Sequence, residues 1–237
     1  MTQPHRAFEL LQAGDADGLF GLLDEDPAVA DARDASGVSL LMQTIYRGRR
    51  DLADTIAGKK SELDIFEAAS LGRLDQLQEC LRDASAIHTM SKDGFTALHF
   101  ACYFGQPAAA RLLLEKDAKV DAVANNPTQL MPLHSATSAR NLEAARLLLE
   151  HGAPVNARQQ LGFVSMHAAA QNGERDMVEL LLQHGADVTL ANEQGKTPAM
   201  VAREKGHTEI AALLGTIATG RKSLKNKTNR PLPNSGS

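Results

Sequence analysis

A chain of 237 residues with 43% apolar content is long enough for one large domain or two small ones, with ample material for a core. Aromatic residues are scarce at 4%, Trp is absent, and no apolar run is long enough to span a bilayer. The net charge of −4 is uneven: residues 216–237 hold five basic residues and no acid, so residues 1–215 carry −9. An acidic body speaks against nucleic acid, whose phosphates demand a basic face, and mildly favours a neutral or basic partner through association rate.

The chain opens with Met1–Arg6 and runs into a mixed helical pattern carrying Glu9, Asp15 and Asp17. A signal peptide needs a basic patch and then an unbroken apolar stretch, so a cytoplasmic protein is expected. Ala7-Phe8-Glu9-Leu10-Leu11 reads as the first helix of a pair, and Ile65-Phe66-Glu67-Ala68-Ala69 as another, each without a turn before it. Gly37-Val38-Ser39-Leu40-Leu41-Met42 matches Gly94-Phe95-Thr96-Ala97-Leu98-His99 at a spacing of 57. Cys80 and Cys102, the only cysteines, stand apart in helical patterns; they suit a reducing compartment and read as small core residues.

From residue 94 the repetition is strong. Thr96-Ala97-Leu98-His99-Phe100-Ala101 returns as Met131–Ala136, Val164–Ala169 and Thr197–Ala202, with positions 99, 134, 167 and 200 spaced 35, 33 and 33. Leucine runs at 112–114, 147–149, 180–182 and 213–214 keep the same phase, as do the turns Asp117–Asp121, Gly152–Asn156 and Gly185–Thr189. Internal periods of this length mark repeat architectures, in which no unit buries its apolar stripe alone.

These three elements in register resemble the ankyrin family, whose repeat carries the signature T-P-L-H-x-A. The resemblance implies an all-α solenoid of stacked helix-turn-helix units with short β-hairpin loops over residues 5–215. Seven units are expected, at 5–33, 34–64, 65–90, 91–124, 125–158, 159–191 and 192–215, followed by a basic, disordered tail at 216–237. Gly105 and Gly173 are placed to end inner helices in the left-handed conformation, Gly152 and Gly185 to end outer ones, and Asp117 to do so without being glycine. The Thr197 hydroxyl is expected to accept an early amide hydrogen bond, with Pro198 at the first helical position. Arg140 stands where a glycine would end the inner helix, and Asn125–Leu130 has two extra residues and no turn glycine, so the 125–158 hairpin is expected to be irregular.

Chemistry is hard to place on this pattern. Successive repeats hold His99, His134 and His167 about 8–10 Å apart, too far for one zinc ion with ligands about 2 Å away. The resemblance implies instead that each imidazole bonds backbone in the turn between repeats. Gly195-Lys196-Thr197 lacks the earlier glycine of a phosphate-binding loop, position 190 being Leu, and no hydrolase, zinc-protease or dinucleotide motif is present. Glu115, Glu150 and Glu179 read as a solvated helix face. The tail residues Arg221, Lys222, Lys225, Lys227 and Arg230 admit a polyanion-binding reading beside simple disorder. No catalytic residue, metal or cofactor is expected, and no small-molecule substrate.

The family binds proteins on hairpin tips and inner helices, and carrying that over position by position gives a candidate face. It comprises Tyr46, Arg47, Leu71, Lys92, Asp93, Phe95, Tyr103, Phe104, Leu130, Phe163, Gln171 and Asn172. Both tyrosines, with Phe95, Phe104 and Phe163, fall at positions a repeat does not need for its core, and Tyr and Arg are enriched in interface hot spots. The expected function is a monomeric, non-catalytic protein-interaction module, whether adaptor, scaffold or inhibitor. The alternative is a secreted or injected effector that uses the stack to engage a host-cell protein.

Overall fold

A computed structural model describes residues 2–228, with side chains to residue 220. Among the described residues it holds fourteen α-helices, three short 3-10 turns, and a lone strand-like bridge between Arg33 and Ser39. The chain divides into two compact units, 1–126 and 127–237. The first contains α1 (Gln3–Ala13), α2 (Ala16–Glu25), α3 (Leu40–Tyr46), α4 (Arg50–Lys59), α5 (Ile65–Leu71), α6 (Leu74–Cys80), α7 (Ala97–Tyr103) and α8 (Pro107–Glu115). The second contains α9 (Pro132–Ser138), α10 (Leu142–Glu150), α11 (Ser165–Asn172), α12 (Arg175–Gln183), α13 (Pro198–Glu204) and α14 (Thr208–Thr228).

Most inner helices are only seven residues long, too short to persist alone in water, so they depend on packing. In the first unit α1, α3, α5 and α7 pack in succession, with α2 on α4 and α6 on α8 behind them; in the second, α9, α11 and α13 form the inner row, with α10 on α12 behind. Small residues let these helices approach: Ala68, Ala69, Ala101, Ala136, Ala169, Ala170 and Ala202 are all fully buried. Each leucine run packs into the core, and Leu113, Leu148, Leu181 and Leu214 have no exposure at all. Truncating any of them to Ala would cost about 2–5 kcal/mol.

Glycine's freedom is used where the inner helices end, at Gly105 (φ 71°) and Gly173 (φ 74°). Asp117 (φ 66°) takes the same conformation, as its type allows, and Arg140 (φ 63°) does so without that excuse. Gln129 (φ 51°) and Leu161 (φ 60°), which no sequence pattern singled out, are left-handed too. The Thr197 side chain makes no cap hydrogen bond, contrary to expectation. The third helical residue there is Met200, which offers no polar group to the cap. Composition read 216–237 as disordered, yet the backbone is helical to Thr228. Half-buried Ile217 and Ala218 carry the helix past Leu214. Residues 229–237 lie outside the described residues.

One capping arrangement recurs through both units. The N–H of Thr96, Met131 and Val164 donates to Nδ1 of His99, His134 and His167 at 3.2, 3.0 and 3.1 Å. With Nδ1 accepting, Nε2 carries the proton, and that of His134 and His167 donates to the carbonyls of Ala157 and Lys196 at 3.0 Å each. The imidazoles therefore bond backbone in the inter-repeat turns, and burial lowers the pKa of His134 and His167, keeping them neutral. Glu67 stands 32 residues before His99 and does the same work in the first unit. Its Oε2 accepts the Asp64 N–H at 3.0 Å, and its Oε1 accepts the Ser39 hydroxyl at 2.6 Å. Lys60 Nζ lies 3.6 Å from Glu67 and 3.0 Å from Asp31. Glu67 has no solvent exposure, and desolvation, with the Asp64 charge second, raises its pKa above the ordinary value.

Two outcomes follow. Arg140→Gly relieves a left-handed side chain and should stabilise the fold by about 0.5–1 kcal/mol, seen as a melting point about 2–4 °C higher. For Glu67, a raised folded pKa means the fold favours the protonated form. Its contribution is greatest below the unfolded value near 4.5 and is lost as pH rises through the folded one. Glu67→Gln should therefore melt above the wild type at pH 7, with the gap closing towards pH 4; a gap that widens in acid would refute the assignment.

Candidate protein-binding site

The first unit collects most of the rings in an aromatic-poor chain. Of seven Phe and two Tyr, six converge on the ends of α3, α5 and α7: Tyr46, Phe66, Phe95, Phe100, Tyr103 and Phe104. Phe100, one of the Ala-rich face residues of α7, is buried and is the hub. Its centroid lies 6.4 Å from Tyr46, 5.9 Å from Phe66, 5.8 Å from Phe95 and 6.3 Å from Phe104. Tyr103 meets Phe104 edge-on at 5.1 Å, an arrangement the ring quadrupoles favour. Packing of this kind holds the outer rings in place while leaving Tyr46 41% and Tyr103 51% exposed. Preorganised, half-exposed rings lose little side-chain freedom on binding.

Tyr46 is further fixed by a 2.5 Å hydrogen bond from its hydroxyl to Asp93 Oδ2. Burial, followed by this bond and the Asp93 charge, raises its pKa well above the usual tyrosine value, so the phenol remains a donor at neutral pH. Asp93 is thus committed in part to Tyr46, while Lys92 beside it is exposed. Tyr46, Phe66, Met90, Lys92 and Asp93, with Met42, line a cavity of about 410 Å³. Met90 is 42% exposed at its mouth.

Several residues of the expected face are otherwise engaged. Leu71 is buried at 7% exposure, which corrects its assignment as a surface residue: it ends α5, an inner helix with α3 packed on one side and α7 on the other. Arg47 is exposed but folds back on its own helix, donating to the carbonyl and side chain of Gln43. Phe163, Leu130, Gln171 and Asn172 belong to the second unit. There Phe163 tilts against His167 at 5.2 Å. The Asn172 amide is spent on the carbonyls of Thr137 and Ser138 at 3.2 and 3.4 Å, tying two repeats together. Leu130 is half-buried and Gln171 is exposed. Sequence reasoning passed over Phe66, Phe100, Met42 and Met90; the first two sit on helix faces that read as core, and only their ring contacts reveal the cluster.

Nothing in the described residues gathers reactive groups. Cys102 is fully buried and its thiol pKa is raised by desolvation; the Cys80 thiol, also raised mainly by desolvation, donates to the Leu63 carbonyl at 3.3 Å. Glu115, Glu150 and Glu179 lie exposed on outer helices. Among the described residues no helix is long and apolar enough to cross a membrane.

A family model described as ankyrin repeats (3 copies) matches residues 65–159 and 158–226. The chain is similar to human BCL-6 corepressor-like protein 1, 34% identical over 125 residues, covering 52% of this chain and 7% of that protein. It is also similar to rat Ankyrin repeat and SAM domain-containing protein 6, 34% identical over 133 residues, covering 50% of this chain and 15% of that protein. A third relative, Drosophila melanogaster Palmitoyltransferase Hip14, is 31% identical over 102 residues, 43% of this chain and 16% of that protein. The chain thus spans only a small part of the relatives it matches. The family matches run over α5 to α14 in phase with the helix pairs, and the chain belongs to the ankyrin-repeat family.

Proposed function

We propose that the chain is a non-catalytic interaction module, acting as adaptor, scaffold or inhibitor, that binds a protein partner through the exposed rings of the first unit. The family is one of interaction folds, and relatives named as a corepressor and as an enzyme both carry such repeats, so the activity of the whole relative does not transfer. One observation carries the reading. In a chain with 4% aromatics and no Trp, six of the nine rings form one cluster whose two tyrosines stand open to solvent. Half-exposed Tyr next to an apolar cavity is the usual make-up of an interface centre.

The surroundings fit a polypeptide better than a nucleic acid. The body to residue 215 carries −9, and a phosphate backbone would be repelled by it. Cys80 and the fully buried Cys102 suit a reducing compartment, and we assign the chain to the cytoplasm as a monomer that acts on a different protein.

Tyr103→Ala removes a half-exposed ring that meets Phe104 edge-on, so the melting point should move by no more than about 2 °C. Affinity for the captured partner should fall at least about tenfold. Pull-down from the source cell with wild type and variant, followed by titration of the recovered partner, checks both. Equal affinity for the two would sink the tyrosine face, and turnover of a substrate by the pure protein would sink the non-catalytic reading.

A further inference from the structure

Successive turns in the second unit are joined by one backbone rung each. Glu193 donates its N–H to the Leu161 carbonyl, and Gln160 to that of Thr128, both at 3.0 Å. In each case the second residue of a turn donates to the third residue of the turn before. Where the second residue is Pro127, which has no N–H, the side-chain amide of Asn126 donates to the Asp93 carbonyl at 2.7 Å, beside a backbone bond from Asn125 N–H to the Gly94 carbonyl at 2.8 Å.

One turn is missing from this row. Met42 and Glu67 occupy the histidine phase but stand only 25 residues apart, eight short of the regular 33, and α5 begins directly after Asp64. The turn 34–38 is closed by Asp34 N–H to Val38 O at 2.9 Å and the turn 91–95 by Ser91 N–H to Phe95 O at 2.8 Å, with no turn between them. By register the rung would need Ser36 O on one wall and Lys92 N–H on the other. Neither group has a hydrogen-bond partner among the described residues.

The space between these walls is the 410 Å³ cavity, floored by Met42, Tyr46 and Phe66 with Met90 at its mouth. The Lys92 stem lies across it, its Cε 3.3 Å from where a β-carbon on Gly37 would sit. Arg33 is spent on Asp64 at 3.2 Å and Asp93 on Tyr46, so Lys92 is the rim cation with no ion pair among the described residues. The notch thus offers a donor and an acceptor at strand-pairing positions, an apolar socket, and an unpaired positive charge.

We infer that the notch left by the missing hairpin binds one extended segment of a partner polypeptide. The segment supplies the absent rung to Ser36 O and Lys92 N–H and places one bulky apolar side chain on Met42, Tyr46 and Phe66. It carries a carboxylate close to that anchor, which Lys92 meets as its stem swings off Gly37. Strand addition of this kind draws affinity from main-chain bonds and specificity from the pocket between them. The inference rests on the protein-interaction reading above and narrows it to one site.

The probe is the capped hexapeptide Asp-Gly-Phe-Thr-Ala-Leu, the sequence of residues 93–98, which already pairs as a turn in this row and carries an acid two residues before a phenylalanine. Titrated into the full chain and followed by amide chemical shifts, it should produce saturable shifts at Ser36, Gly37 and Lys92. Met90→Trp fills the mouth from an exposed position, and Lys92→Glu reverses the rim charge; each should weaken the peptide by at least about tenfold, with Lys92→Arg restoring binding. Melting curves of the three variants establish that they fold. Absence of saturable shifts at millimolar peptide overturns the inference, as do shifts untouched by Met90→Trp. Shifts at the same amides that grow with protein concentration alone would make a second copy the occupant and overturn it too. If a cellular partner binds Met90→Trp as well as wild type, the notch fails while the interaction reading stands; if no partner is found at all, that reading fails on its own terms.

Discussion

Each inner helix begins with an amide that has no partner within the helix, and the stack depends on how that amide is satisfied. Three times the answer is an imidazole three residues into the helix, which accepts the amide on Nδ1; in two of these its Nε2 proton is seen to go to the next turn. Such a ring joins local capping to contact between repeats. A seven-residue helix with its first amide unpaired and buried would lose one to three kcal/mol, about the scale of its own intrinsic instability. The neutral imidazole suits the position because it is donor and acceptor at once, and burial holds it neutral.

Where the chain departs from this solution the substitute is instructive. Glu67 offers two acceptors and no donor, so it satisfies its own cap but has no proton for a following turn. Its second oxygen turns back to the Ser39 hydroxyl of the preceding repeat, and Lys60 is drawn in to offset the buried charge. The loss of a hairpin and the replacement of histidine by glutamate coincide in one repeat: the missing turn would stand before Asp64, and the carboxylate takes a second donor from that side, the Ser39 hydroxyl of the preceding repeat.

The repeat phase, the buried leucines and the left-handed Asp117 were all readable from residue identities, because each follows from spacing or from the rare conformations a residue type tolerates. The proposed binding face was readable only in part. Tyr46, Phe95, Tyr103 and Phe104 could be placed because an aromatic at a non-core phase is conspicuous. Leu71 was misplaced since an aliphatic residue at a helix end gives no clue to whether its neighbours close over it. Glu67 carried a signal in its spacing of 32 from His99, but a glutamate near a helix start reads as ordinary capping. Phe66 and Phe100 lie on faces every repeat buries, so their part in holding the tyrosines emerges from ring geometry alone.

A missing hairpin is a defect only if the row of turns is regarded as pure scaffold. Every hairpin in such a row covers the inner-helix ends behind it and completes a backbone rung with its neighbour. Removing one uncovers side chains that would otherwise be core, which is why Tyr46 and Met90 are exposed while Phe66 is half-buried beside them. It also opens one donor and one acceptor at strand register. Stability is recovered elsewhere, by the Asp64–Glu67 capping box and by the tie from Tyr46 to Asp93 that spans the gap. The walls are thereby held apart with their binding groups fixed, so the ordering cost of a docking site is met by the fold before any partner arrives.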